Sequence, residues 1–182
     1  MIKTPSSQAL ALLLAAVLAG AAGFWLHTFR LAPTVPSATT WLSTPMKDLN
    51  GQAVRLDQFK GRPMIINFWA TWCAPCIEEM PDFQKASVAP IANGIQFVGI
   101  GIDYADKMRD FSKKLGITYA LWEAGPGGID LLKQAGNKSG TLPYTVAIDA
   151  GGKPIFAKLG KMDASELQKL LEQLQAKTTG KP

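Results

Sequence analysis

The sequence predicts an α/β domain in which helices cover both faces of one mixed sheet. Three observations carry that expectation. A short apolar run, Met64 to Trp69, leads straight into a helix opening after Cys73. A second apolar run, Phe97 to Ile102, is followed by another helical pattern. Near the C-terminus, Tyr144 to Asp149 and Lys153 to Leu159 flank Ala150-Gly151-Gly152, which spells an antiparallel hairpin. Strands joined through helices run parallel and a closing hairpin does not, so the sheet is mixed and covered on both sides.

Taken in order, the chain opens on an uncharged stretch, Ser6 to Leu26, with Lys3 before it and Arg30 after it. Two readings stand. Ala9 to Leu18 followed by Ala19-Gly20-Ala21-Ala22 suits a cleaved signal peptide. Phe24-Trp25-Leu26 carries the apolar run on toward the length of a membrane span, with Trp25 and His27 at the far interface. The uncleaved anchor, crossing the inner membrane through residues 6–26, is favoured. It predicts a single-pass protein whose domain faces the periplasm or outer side; cleavage would leave a soluble periplasmic form. Residues 1–29 are thus read as signal-anchor, 30–44 as a Pro- and Ser/Thr-rich linker, 45–177 as the domain and 178–182 as a tail.

Within the domain, Asn50-Gly51 is a tight-turn signal between Met46 to Leu49 and Ala53 to Leu56, giving a small N-terminal β-hairpin. The strand Met64 to Trp69 follows, and then a helix from Cys73 to about Ala89 that Pro81 is expected to kink, because proline has no N–H to give. After the strand Phe97 to Ile102, Met108, Phe111 and Leu115 mark the apolar side of a helix from Ala105 to Leu115, closed by Gly116. Thr118 to Trp122 reads as a short strand and Gly127 to Gln134 as a short helix. Beyond the hairpin, Lys161 to Ala176 reads as the last helix. Asp163 and Glu166 are spaced as a capping box, and Leu167, Leu170, Leu171 and Leu174 form its buried stripe.

Lysine plus arginine outnumber aspartate plus glutamate by 19 to 14, a mild excess scattered among acids such as Asp110. That pattern is a solvated surface and argues against a nucleic-acid partner. Gly125-Pro126-Gly127-Gly128 lacks the Gly-Lys-Ser/Thr ending of a phosphate loop. No cofactor is called for.

The chemistry is concentrated at Cys73-Ala74-Pro75-Cys76, the only two cysteines of the chain. A structural zinc would need further ligands, and the single histidine lies far off in the leader. An inert disulfide closing so small a loop would constrain the unfolded chain little. A Cys-x-x-Cys at a strand-to-helix junction is instead suited to redox work. The first thiol meets the positive end of the helix, where unpaired N–H groups stabilise a thiolate. Cys73 is the expected nucleophile and Cys76, one turn on, the resolving thiol. Glu79 is three residues beyond Cys76 on the same helical side, where a half-buried carboxylate could take its proton. Trp72 adjoins the nucleophile and is read as shielding it or contacting substrate. A different reading, a thiol module that binds copper or senses redox state without turnover, would use the same two thiolates, with Met80 as a further ligand.

With Asn67-Phe68-Trp69-Ala70-Thr71-Trp72-Cys73-Ala74-Pro75-Cys76, Glu79-Met80-Pro81 and Gly140-Thr141-Leu142-Pro143 in view, the chain resembles the thioredoxin superfamily. More narrowly it is similar to the exported, membrane-anchored TlpA/ResA/cytochrome c biogenesis group, over about Leu42 to Leu174. The resemblance implies a thioredoxin-like fold with a central insertion between Ile102 and Thr141. It also implies a cis bond between Leu142 and Pro143 that packs against the cysteines and leaves the Leu142 backbone free to pair with substrate. Cytoplasmic thioredoxins carry a buried aspartate where this chain has Asn67; in the exported group a glutamate matching Glu79 takes a comparable place. The implied activity is that of a thiol:disulfide oxidoreductase. Its direction is read as reduction of protein disulfides, with apocytochrome c as a candidate client and a thiol-type electron donor in the inner membrane. Oxidant or isomerase activity is the alternative; Ala74-Pro75 lacks the histidine of strongly oxidising relatives.

Overall fold

A computed structural model describes residues 40–179. The expected signal-anchor, most of the linker and the end of the tail lie outside the described residues. Around the central strand the chain builds a seven-stranded sheet in the order β2-β1-β5-β4-β3-β6-β7. The strands are β1 (Met46–Asp48), β2 (Ala53–Val54), β3 (Met64–Trp69), β4 (Gln96–Gly101), β5 (Ala120–Glu123), β6 (Tyr144–Ile148) and β7 (Pro154–Leu159).

 β3, β4 and β5 run parallel, while β6 pairs antiparallel with β3 and β7 antiparallel with β6 over Pro154–Leu159. The mixed, thioredoxin-like sheet expected from the sequence is therefore present.

All six residues of β3 are buried, because helices cover both faces. Its side chains alternate between two cores. Ile66 and Phe68 join Val98, Ile100, Tyr144 and Val146 on one side, with α3 (Gly128–Gln134) supplying Leu131 and Leu132. Ile65 and Trp69 face the other side, which is covered by α1 (Ala74–Ser87), α2 (Ala105–Leu115) and α4 (Ala164–Thr179). Glycine in β4 makes this second face possible. A Cβ on Gly99 would lie 2.6 Å from Leu121 Cδ2 and 3.2 Å from both the Trp69 and the Tyr119 ring.

Several boundaries differ from expectation. Trp41 and Leu42, assigned to the linker, form a short 3-10 turn and are buried in the first core, since two large apolar side chains gain more there than in water. The expected N-terminal hairpin forms, with β1 antiparallel to β2. β1 pairs with β5, Lys47 opposite Glu123 and Asp48 opposite Trp122, so it extends the sheet. Helix α1 ends at Ser87 and contains Pro81. Helix α4 starts at Ala164 rather than Lys161, because the capping box sets its beginning. The Asp163 amide donates to Glu166 (3.0 Å) and the Glu166 amide to Asp163 (2.9 Å). Among the described residues no helix is long and apolar enough to cross a membrane.

Candidate redox site

The connection from β3 into α1 places both cysteines. The Ala70 carbonyl accepts the Cys73 amide at 3.2 Å, and Cys73 then caps α1 in extended geometry, its carbonyl accepting the Ile77 amide. Pro75 has no N–H, so the amides of Ala74 and Cys76 are the first-turn donors left without an intrahelical acceptor, aimed toward the Cys73 end. The sulfurs of Cys73 and Cys76 are joined in a disulfide, 2.03 Å. Cys73 keeps a sliver of exposure, 6%, while Cys76 has none. Beneath them lie Trp69, Met80 and Met108, with Leu142 packed against the same cluster.

Asp103, two residues past the end of β4, pins the loop that leads to the cysteines. It accepts from the amide and the hydroxyl of Thr71 and from the Tyr104 amide. Burial works to raise its pKa, but these hydrogen bonds and Lys107 together hold it below its ordinary value. Trp72, the next residue, stands 68% exposed, and Tyr104 is nearly as open. With Ile102, Asp103 and Lys107 they line an open cavity of about 350 Å³ beside the redox pair.

Glu79 is wholly enclosed rather than half-buried. Asn67 Nδ2 donates to its Oε1 at 2.8 Å, and the Met162 amide donates to its Oε2 at 2.8 Å. Burial is the largest influence on this carboxyl and pushes its pKa up to about 7. The two hydrogen bonds and the charges of Lys158 and Lys161 pull the other way. Such a group changes charge near neutrality, one helical turn from Cys76.

The bond between Leu142 and Pro143 is cis. Pro143 is buried at the start of β6, and its carbonyl accepts the Gly160 amide at 2.9 Å. Cys73, Cys76 and Leu142 are thus brought into one cluster, with Glu79 on the same helix as the cysteines, while Trp72 is not part of that cluster and stands exposed. The pairing of Glu79 with Asn67 was not anticipated. A signal for it exists: Asn67 is the one polar residue in a six-residue strand buried on both faces, and a buried amide needs partners.

The class that this fold and this disulfide centre define is a thioredoxin-like thiol–disulfide oxidoreductase, of the TlpA/ResA type within the thioredoxin superfamily. The chain belongs to the Redoxin family, whose profile matches residues 32–174. It is 27% identical over 161 residues to the thiol-disulfide oxidoreductase ResA of Bacillus cereus, covering 87% of this chain and 91% of that one. Among solved structures it is similar to a thioredoxin-related protein from Neisseria meningitidis serogroup B, at 28% identity and a TM-score of 0.64, covering 72% and 98%. A DsbF homologue from Corynebacterium diphtheriae matches at 27% identity and a TM-score of 0.63, covering 72% and 83%.

Proposed function

We propose that this chain reduces disulfides of exported proteins at the outer side of the inner membrane, held there by residues 6–26. The carrying observation is the Cys73–Cys76 pair at the start of α1 with the enclosed carboxyl of Glu79 one turn behind it. In the reduced form the Cys73 thiolate attacks a client disulfide. One client sulfur leaves as a thiolate and takes a proton from solvent, and a mixed disulfide joins Cys73 to the other. Cys76 then gives its proton to the Glu79 carboxylate and attacks Cys73 Sγ. The second client sulfur departs, and the domain is left with the Cys73–Cys76 disulfide. The client has gained two electrons; the domain has lost two.

Reduction is favoured over oxidation because Ala74-Pro75 offers no histidine to stabilise the reduced pair further. The clients would be exported proteins with accessible disulfides, apocytochrome c with its haem-site thiols among them. In an oxidising compartment the cycle needs a thiol-type donor in the inner membrane to re-reduce the pair. Trp72 and the cavity beside it, together with Leu142, would receive the client segment. Among the described residues no hydrogen bond engages the Leu142 backbone, which suits a strand-like contact.

Equilibration with dithiothreitol or glutathione buffers tests the direction. The expected potential lies near roughly −270 mV, and a value above about −180 mV would overturn the proposal in favour of an oxidant or isomerase. In a separate turnover assay with a disulfide-bearing peptide, Cys73→Ser should abolish turnover, whereas Cys76→Ser should accumulate a covalent complex with the peptide.

A further inference from the structure

The side chain of Asn67 has an uneven set of partners. Its Nδ2 donates to Glu79 Oε1 at 2.8 Å and to Thr145 Oγ1 at 3.1 Å. Its Oδ1 is buried and has no partner. Glu79 is held at its other oxygen by the Met162 amide, which can only donate. A proton arriving on Glu79 therefore belongs on Oε1, facing Asn67. There the new O–H would meet an N–H, two donors head to head.

We propose that Asn67 is a positioning residue that follows the charge of Glu79, donating through Nδ2 to the carboxylate and, with its amide turned over, accepting through Oδ1 from the carboxylic acid. The turn exchanges two atoms in place. Oδ1 then accepts from Glu79 and from the Thr145 hydroxyl, which can donate as readily as accept. The end of the amide that points away loses no hydrogen bond, because it has none to lose. An aspartate in this position would have no hydrogen for the ionised partner, and a leucine would have a partner for neither form. The inference rests on the reading that Glu79 takes the Cys76 proton. When Cys76 S–H transfers its proton to Oε1, the thiolate goes on to attack Cys73 Sγ, and the turned amide keeps the carboxylic acid in place. Return of that proton to solvent restores the first arrangement. No other side chain among the described residues hydrogen-bonds the Glu79 carboxyl. The charged or titratable groups around it are Lys158 on β7, Lys161 in the turn before α4 and the Tyr119 phenol ahead of β5, with Cys76 three residues earlier on its own helix.

The test follows both side chains in the full chain, reduced and in detergent, by side-chain amide ¹⁵N–¹H signals of Asn67 and the ¹³C carboxyl signal of Glu79 between pH 5 and 9. The expected result is one shared midpoint, with the Asn67 signals of Glu79→Gln fixed at their low-pH position, since glutamine donates where the acid did. If the carboxyl titrates while the Asn67 amide stays still, Asn67 is a fixed dipole and the proposal fails, with the role of Glu79 intact. A carboxyl that does not titrate in this range removes the role of Glu79 and this inference together.

Discussion

Glu79 couples the stability of the domain to pH in a direction opposite to that of most carboxylates. Folded, it titrates at about 7, against an ordinary 4.5 in the unfolded chain. Between those values the folded domain holds a proton that the unfolded chain has released. The contribution of Glu79 is thus fully present below about pH 4.5, declines as pH rises to about 7, and is gone above it. The upper bound on the loss is on the order of 3 kcal/mol. Glu79→Gln should flatten this slope, so the difference between wild-type and variant denaturant midpoints should change between pH 5 and 8. In rapid-mixing experiments with a disulfide peptide, the same variant should resolve the mixed disulfide about tenfold more slowly or worse, with initial attack by Cys73 nearly unaffected. Wild-type resolution rates across pH 6 to 9 would reduce Glu79 to a structural residue.

Among the elements, β4 has the least room. Gly99 sits between the Trp69 and Tyr119 rings and the Leu121 methyl, so Gly99→Val must push apart two strands' side chains, at a cost of roughly 1–3 kcal/mol read from urea denaturation. Removing the cap of α4 with Asp163→Ala should cost about 1 kcal/mol by the same measurement. Most elements could be read from local pattern alone. Ala105–Leu115 follows from its apolar spacing and Gly116, and α4 from its leucines and its cap, because the signals for each lie within one turn of the element itself. What could not be read depends on partners distant in the chain. The pairing of β1 with β5 joins residues with no shared local signal, and Trp41 is flanked by the Ser, Thr and Pro residues of a linker. At the site, the cysteines announced themselves by spacing. The Asn67–Glu79 hydrogen bond did not, since it exists only once α1 has packed across β3.

For the whole molecule, the proposed tether gives the plainest test. The protein should remain in the membrane fraction after a carbonate wash with its N-terminal residues intact; a soluble form beginning near Ala22 or Gly23 would replace the anchor with a cleaved leader. The clients proposed above would be exported chains with accessible disulfides, and the sheet's own ends bear on how they would meet the domain. β2 ends one side after two residues. On the other side β7 begins with Pro154, which brings no N–H, and its register with β6 shifts at Ala147/Ile148. Both edges are therefore poor templates for an added strand. If the proposed clients are incompletely folded chains, a client released from the cysteines would find little at either sheet edge to zip onto, and the domain would be guarded against aggregating with it.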